Sequence, residues 1–492
     1  MKFREPFVVR KKIIWMGPEP DAAIQTEFTN RELALYCTNS EISDADLCAS
    51  SGIIFRYNSA KPGAVRTQLE LLARKAADHG LAVIAIAEDT ACTDILHKYL
   101  KELDLESLVY LRTNPTTHEI PHRIATHDPG WPLHPSLSIS GDTDGLDECG
   151  KLLLGRAFTD CSSLYIKKLS GGYSASVFAV SARFRDPIAG PRPLPFFAKI
   201  DERTKIEEEG KKYSQYVQHF IPFSSRPNLD EDRCILGGAK GILVGNFVEQ
   251  SESLWDVVRR GTAQTPLYSL FDRALAGWRL QAFENEPSNT SPFDSLSNQF
   301  KPTRVTVPRL TEAKRLGAVK TPQQIFDSLR NLPSIPFRKG PVHGDLHADN
   351  VRIRSIDAIL IDFASVFHGP IVADPAALEV SIAFRFPVEE RENETWKSMI
   401  DTLYLESNLM SVPPPAREPL PREWLWTTVR QIRLIALASQ VSPYEYQFAL
   451  VIYLLRWAMY PPDVHDEEYR RAYAYVVAER LCDRLLEKLR PV

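Results

Sequence analysis

The most constraining feature of this chain is a run of polar side chains, PVHGDLHADNV, directly before an extended stretch. The run spans residues 341–351 and contains His343, Asp345, His347, Asp349 and Asn350. After it, residues 351–354 alternate like a strand, residues 355–357 turn, and an apolar run leads to Asp362. A ligand-rich loop followed by a hairpin can therefore bring Asp345, Asn350 and Asp362 together. One interpretation is a site for a metal-bound polyphosphate, and the other is an ordinary polar turn.

Length and composition exclude several classes of protein. The chain has 492 residues, of which 44% are apolar and 25% charged, so we expect a globular protein of two or three domains. The net charge of −4 is spread without long blocks, which gives no support to a nucleic-acid or membrane-surface role. Seven scattered cysteines suit free thiols in a reducing compartment, and no apolar run has the length of a membrane span. We predict a cytoplasmic protein.

Residues 1–114 alternate apolar runs with helix-like segments, which predicts an α/β domain with a doubly wound sheet. The runs read as strands are KIIWMG, ELALYC, GIIFRYN, LAVIAIAED and LVYLRTN. Between the third and fourth, AVRTQLELLARKAADHG has one apolar helical face and stops at Gly80, a favoured residue after a helix end. Residues 115–155 begin with a stretch rich in proline and predict a linker.

The layout of the N-terminal domain resembles the receiver domains of bacterial response regulators. A receiver has an acidic pair after its first strand, a phosphoacceptor Asp at the end of its third and a Lys at the end of its fifth. The corresponding positions here are Met16-Gly17-Pro18, Arg56-Tyr57-Asn58 and Asn114-Pro115. We therefore expect a degenerate receiver-like domain that is not phosphorylated and that docks a protein partner or senses a signal.

Three features between residues 166 and 250 could contact a nucleotide. A turn of small residues at 170–174 joins two extended stretches, and its backbone N–H groups could cradle phosphate or simply close a hairpin. Further on, FFAKID reads as a short apolar strand that carries Lys199. Glu209 lies on the apolar stripe of the helix that follows this strand. A buried carboxylate needs a cation, so Lys199 is its expected partner, with Glu208 as the alternative to Glu209. The strand exit at 246–250 could receive an adenine ring or be an ordinary loop.

The central motif resembles that of protein-kinase-like enzymes, in which H-R-D is followed by an Asn five residues after the Asp and then by D-F-G. This chain has His343-Gly344-Asp345, Asn350 and Asp362-Phe363-Ala364. The H-G-D-L-H form is similar to the aminoglycoside phosphotransferase and choline kinase branch. The resemblance covers roughly residues 160–480 and implies a two-lobed α+β kinase-like domain, with an N-lobe at 156–250 and a mainly helical C-lobe at 251–492.

The resemblance also implies roles for individual residues. Asp345 would be the catalytic residue that orients or deprotonates the acceptor, and Asn350 with Asp362 would bind Mg²⁺. The ATP-binding residues would be Gly171, Gly172, Ser174, Lys199, Glu209, Asn246, Phe247 and Val248. We expect His343 to brace the loop, and Asp374 with Pro375 to open a helix as its N-cap and first residue.

The sequence is consistent with two functions and with more than one class of acceptor. The predicted function is transfer of phosphate from ATP to a hydroxyl of a small molecule or protein, and the alternative is a catalytically weak nucleotide-binding module that controls a partner. Acidic residues of the C-lobe could bind a cationic acceptor or be solvated helix faces; they are Glu389, Glu390, Glu392 and Asp401. The polar insert at 284–320 could be a lid or a plain loop.

Overall fold

The computed structural model describes residues 10–57, 62–169, 175–186, 194–385, 393–406, 408–409, 412–413, 422–461 and 467–489. The chain divides into two compact units. The first consists of Met1–Gly210 and Asn228–Phe247, and the second of Lys211–Pro227 and Val248–Val492.

The first unit begins with a five-stranded parallel sheet in the order β2-β1-β3-β4-β5. Its strands are β1 (Lys12–Met16), β2 (Ala34–Cys37), β3 (Ser50–Tyr57), β4 (Ala82–Ala87) and β5 (Val109–Thr113). The accompanying helices are α1 (Ala22–Asn30), α2 (Asp44–Cys48), α3 (Pro62–Asp78), α4 (Thr90–Glu102) and α5 (Glu119–Thr126). All five predicted strands and the predicted helix before Gly80 are confirmed.

Both faces of this sheet are covered. Alternate residues such as Ile14 and Phe55 pack with α3 and α4, while Ile13 and Ile54 pack with α1 and α5. Burial on both faces is why the strands read as continuous apolar runs instead of alternating ones.

The first unit also contains a six-stranded mixed sheet in the order β10-β11-β9-β8-β7-β6. Its strands are β6 (Ser138–Gly141), β7 (Cys161–Lys168), β8 (Ser176–Phe184), β9 (Phe196–Glu202), β10 (Ile235–Leu236) and β11 (Lys240–Asn246), with α6 (Glu148–Ala157) packed against it and α7 (Arg203–Lys212) following β9. The segment 115–155, for which we expected a linker, therefore contains α5, β6 and most of α6. Arg156 of α6 bonds to the carbonyl oxygens of Pro129 and Trp131, which ties the proline-rich stretch to this helix.

The second unit is mainly helical. Its helices are α8 (Leu254–Arg259), α9 (Gln264–Ser269), α10 (Ala276–Glu284), α11 (Pro292–Leu296), α12 (Val307–Arg315), α13 (Pro322–Arg330), α14 (Ala373–Ala383), α15 (Asn393–Ile400), α16 (Glu423–Ser439), α17 (Glu445–Met459) and α18 (Glu467–Leu489). Its strands are β12 (Glu252–Ser253), β13 (Lys339–Val342), β14 (Val351–Arg354), β15 (Asp357–Leu360) and β16 (Phe367–Pro370). The predicted hairpin at 351–361 is confirmed as β14 and β15.

The core of the second unit is built on α14, α16, α17 and α18. In it Arg433 bonds to both Glu379 oxygens, and the two side chains are completely buried. The Tyr446 hydroxyl donates a further bond to Glu379 at 2.6 Å. Within the described part of the chain, no helix combines the length and the hydropathy needed to cross a bilayer.

Candidate active site

The polar run at 341–350 forms the loop that leaves β13 and ends in a short 3-10 turn at Ala348–Asn350. The Asp345 carbonyl oxygen accepts bonds from the His347 N–H and from Nδ2 of Asn350, each at 2.9 Å. These bonds fold the loop back on itself and fix Asp345 relative to Asn350. The Asp345 carboxylate keeps 36% of its side-chain surface exposed, so it remains accessible to a substrate.

Asn350 and Asp362 lie at the same end of the β14–β15 hairpin. The Ile361 N–H donates to the Asn350 carbonyl oxygen at 3.0 Å, one step beyond the last strand pair, Val351 with Leu360. Asp362 follows with a left-handed backbone, φ 62° and ψ 76°, a conformation that aspartate adopts more readily than most residues. The structure therefore brings these two predicted metal ligands to one place in the fold.

The oxygen atoms of Asn350 and Asp362 suit Mg²⁺. Among the described residues there is no group of three or more His, Cys, Asp or Glu side chains that could hold a metal ion. Mg²⁺ does not require such a group, because it is commonly bound through one or two carboxylates while substrate phosphates and water complete its octahedral shell.

Asp374 of α14 anchors the polar loop through hydrogen bonds to its backbone. Its carboxylate accepts the backbone N–H of His343 at 2.8 Å and that of Gly344 at 3.1 Å. Burial raises the pKa of Asp374, although these two bonds and His343 oppose the rise. The predicted N-cap role of Asp374 is wrong, because α14 begins at Ala373 with Val372 as its cap and Asp374 lies inside the first turn. Its side chain braces the loop instead.

Gly344 cannot be replaced without moving the segment that follows Asp362. Its φ is +76°, and a Cβ atom there would lie 2.4 Å from the Ser365 carbonyl oxygen and 2.8 Å from the Phe367 ring. The polar loop that contains Asp345 and the segment after Asp362 are therefore in close contact at this glycine.

Arg456 of α17 is the site residue that the sequence analysis missed. Its guanidinium donates to Asp345 Oδ1 at 2.7 Å and to the Gly344 carbonyl oxygen at 2.7 Å, and it also bonds to Gln299. Burial lowers the pKa of Arg456, but the Asp345 carboxylate together with Tyr460 and Tyr453 outweighs this effect, and the pKa lies above its ordinary value. One signal was available: Arg456 is the only charged residue in FALVIYLLRWAMY, and a charge in an apolar helix needs a partner.

The two histidines of the loop differ in environment. His343 is fully buried, its Nε2 lies 3.0 Å from the Ile361 carbonyl oxygen, and its ring contacts Phe363, so its predicted bracing role is confirmed. His347 lies 3.9 Å from Asp345 and 4.0 Å from Asp349. Desolvation lowers the pKa of His347, although these carboxylates oppose the shift.

In the first unit the structure pairs Lys199 with Glu209. Lys199 is on β9, Glu209 is on α7, and their Nζ and Oε2 atoms are 2.8 Å apart. Both side chains are nearly buried, with 13% and 10% of their surfaces exposed. The pair expected from the apolar stripe therefore forms, and its carboxylate is that of Glu209.

Several polar groups at the end of β11 and in the segment that follows it form hydrogen bonds with other residues of the chain. Asn246 exchanges bonds with Asn228, and the Phe247 N–H donates to the Pro195 carbonyl oxygen at 3.0 Å. The Val248 carbonyl oxygen accepts the Ser251 hydroxyl at 2.8 Å. Three other predicted nucleotide-binding residues, Gly171, Gly172 and Ser174, lie outside the described residues, as do Glu389, Glu390 and Glu392.

Residues 272–398 match the family model described as "Phosphotransferase enzyme family". This range contains Asp345, Asn350 and Asp362, whereas Lys199 and Glu209 lie outside it. The matched segment therefore lies entirely within the second unit. No curated protein matches the chain significantly.

Solved structures similar to this chain include three kinases or phosphotransferases. An aminoglycoside phosphotransferase from Streptomyces rimosus is 15% identical, with 59% of this chain and 99% of that chain covered and a TM-score of 0.29. A choline/ethanolamine kinase family protein from Mesorhizobium loti is 12% identical, with coverages of 65% and 92% and a TM-score of 0.35. An ethanolamine kinase from Plasmodium vivax is 12% identical, with coverages of 78% and 94% and a TM-score of 0.35. The family match, not these distant structures, supports phosphotransfer.

Proposed function

We propose that this protein is an ATP-dependent phosphotransferase that moves the γ-phosphoryl group of ATP to a hydroxyl group of an acceptor. The observation that carries the proposal is the arrangement around the β14–β15 hairpin. There an accessible carboxylate, Asp345, is bonded through its backbone to Asn350, and Asn350 lies at the same hairpin end as Asp362. All three residues lie within the segment that matches the phosphotransferase family.

Phosphoryl transfer needs positioning and charge neutralisation more than covalent chemistry from the protein. The Asp345 carboxylate would accept a hydrogen bond from the acceptor hydroxyl and take its proton as the oxygen attacks the γ-phosphorus. Asn350 and Asp362 would hold Mg²⁺ through their side-chain oxygens. When bound, Mg²⁺ supplies charge neutralisation for the β- and γ-phosphate oxygens.

The other predicted ATP-binding residues would take the roles that the sequence resemblance implies. Lys199, held by Glu209, would bind the α- and β-phosphates, and the turn with Gly171, Gly172 and Ser174 would cover them. The side chain of Asn246 is hydrogen-bonded to Asn228, so adenine would instead bond to backbone groups of the residues that follow Asn246. The Phe247 carbonyl oxygen and the Val248 N–H suit this role, because within the described residues neither has a hydrogen-bond partner.

The test is transfer of γ-labelled phosphate from ATP with Mg²⁺, to the protein itself and to a fractionated bacterial extract. Asp345→Asn should lower transfer by about 10²-fold to 10⁴-fold, because the general base is lost. Asp349→Asn is the matched control: it removes a carboxylate four residues away that pairs with Arg385 at 2.6 Å. Equal transfer by wild type and Asp345→Asn would refute the proposal.

A second candidate function is a nucleotide-binding module in which ATP occupancy controls a partner protein. The parallel sheet order β2-β1-β3-β4-β5 favours it, since receiver domains share this order and this chain lacks their phosphoacceptor aspartate. We propose that this receiver-like domain would dock the partner and that the protein is cytoplasmic. In such a module Asp345→Asn would leave ATP binding and partner control intact.

A further inference from the structure

Beside the catalytic loop, the second unit contains a cleft of about 360 Å³, a size that suits a small molecule. It is bounded by residues 295–304 of the polar insert, by the segment just after Asp362 and by the end of α17. The charged residues among its lining are all cations, and they are Lys212, Lys301, Arg304 and Arg456. The cleft reaches the catalytic loop through Arg456, which bonds directly to Asp345.

The wall formed by the insert is anchored. Arg309 of α12, within the insert, is 2% exposed and donates to the Tyr460 carbonyl oxygen at 3.3 Å and to Glu468 at 2.7 Å. Gln299 of the insert bonds to Arg456 itself. The insert at 284–320, for which the sequence left a lid or a loop open, is therefore a folded wall of α11, α12 and 3-10 turns.

The four cations are not equivalent. Arg456 is committed to Asp345, Gly344 and Gln299, and Lys212 donates to the Ala364 carbonyl oxygen at 2.7 Å. The side chains of Lys301 and Arg304 have neither a hydrogen bond nor an ion pair with any residue that the structure describes. Lys301 and Arg304 are exposed residues that line the cleft. Two uncompensated positive charges therefore face the space next to the proposed catalytic base.

We propose that the acceptor is a small alcohol that carries its own anionic group, a phosphate or a carboxylate, bound by Lys301 and Arg304. The proposal rests on the function proposed above and names its substrate class. Arginine binds phosphate or carboxylate through two parallel hydrogen bonds, and lysine adds a point charge. A cationic acceptor would instead be repelled, because none of the described residues that line the cleft is acidic.

The reaction balances without a further reactant. The acceptor hydroxyl oxygen forms a bond to the γ-phosphorus, and the bond between that phosphorus and the β–γ bridging oxygen breaks. The hydroxyl proton passes to the Asp345 carboxylate and from there to water. The products are ADP and an acceptor that carries its original anionic group and a new phosphate ester.

The experiment uses the full chain, γ-labelled ATP with Mg²⁺, and small molecules of a bacterial extract separated by ion exchange into anionic, neutral and cationic fractions. We expect label to enter the anionic fraction. The double variant Lys301→Glu/Arg304→Glu should lower this transfer by at least about tenfold, since two charge-assisted contacts become repulsive. Prior treatment of the fraction with phosphatase abolishes labelling if the anionic group is a phosphate and spares it if the group is a carboxylate.

Lys314→Glu is the matched control, because it reverses an exposed charge on α12 outside the cleft lining. Thermal unfolding of both variants checks that they fold. Asp345-dependent labelling of the neutral or cationic fraction, or equal labelling by the double variant, would overturn the anionic acceptor and leave the phosphotransferase standing. Transfer into no fraction by the wild type would overturn the proposed function and this inference with it.

Discussion

Replacing Arg456 by Met tests whether this residue holds Asp345 in its working position. The Arg456 nitrogen and Asp345 Oδ1 are 2.7 Å apart, so their attraction is about 6 kcal/mol at an effective dielectric of 20 and about 1.5 kcal/mol in water. Because 36% of the Asp345 side chain is exposed, a value between these limits applies. We take about 3 kcal/mol, which corresponds to about a 10²-fold loss in kcat.

The assay is steady-state phosphotransfer with a double-mutant cycle. If Arg456 acts through Asp345, Arg456→Met should lower kcat, leave the KM for ATP unchanged, and have little further effect in an Asp345→Asn background. Arg456→Lys retains the charge but not the forked contact with Gly344 and Asp345, so it should recover part of the activity. Additive losses in the cycle, or a loss explained by unfolding at the assay temperature, would refute the reasoning.

Three further predictions concern other parts of the molecule. Arg433→Met should lower the free energy of unfolding by about 3–5 kcal/mol, because Glu379 would keep a buried unpaired charge; denaturant titration should show a smaller loss when Glu379 is also replaced by Met. Burial raises the pKa of Glu445 to about 7 from an ordinary 4.5, so the folded state binds an extra proton between these values and loses stability as the pH rises. Glu445→Gln should therefore gain about 3 kcal/mol over wild type at pH 8 and little at pH 4; a gain independent of pH would contradict this. Lys199→Met should weaken ATP binding about tenfold by calorimetry, and unchanged binding would remove Lys199 from the site.

Much of the N-terminal fold can be predicted from sequence because its signals are local. A strand buried on both faces needs a continuous apolar run, as in Leu81–Ala87, and a helix end with positive φ needs a residue such as Gly80. The hairpin after Asn350 is equally local, since its turn and its alternation are adjacent in the chain. The Lys199–Glu209 pair was accessible for a related reason: a carboxylate on an apolar stripe implies a nearby cation.

Prediction fails where distant segments decide the outcome. Asp345 and Arg456 are 111 positions apart, and nothing near either residue specifies the other. The helix that carries Glu209, α7, shows a second reason why prediction from sequence fails. It continues beyond Lys212 as a π-helical turn, Tyr213–Val217, whose register departs from the 3.6-residue period that a sequence pattern assumes.

The polar loop at 341–351 differs from an ordinary polar turn in the residues to which its side chains are bonded. A turn satisfies its polar groups locally or with water, whereas this loop is tied to remote elements. His343 bonds to the strand exit before Asp362, Asp349 pairs with Arg385, and the Asp345 carboxylate is held by Arg456. Ordering these groups costs conformational entropy, and the bonds fix a carboxylate that still has 36% of its side-chain surface exposed. Such preorganisation of an accessible group is what positioning an acceptor hydroxyl requires, and a polar turn would not need it.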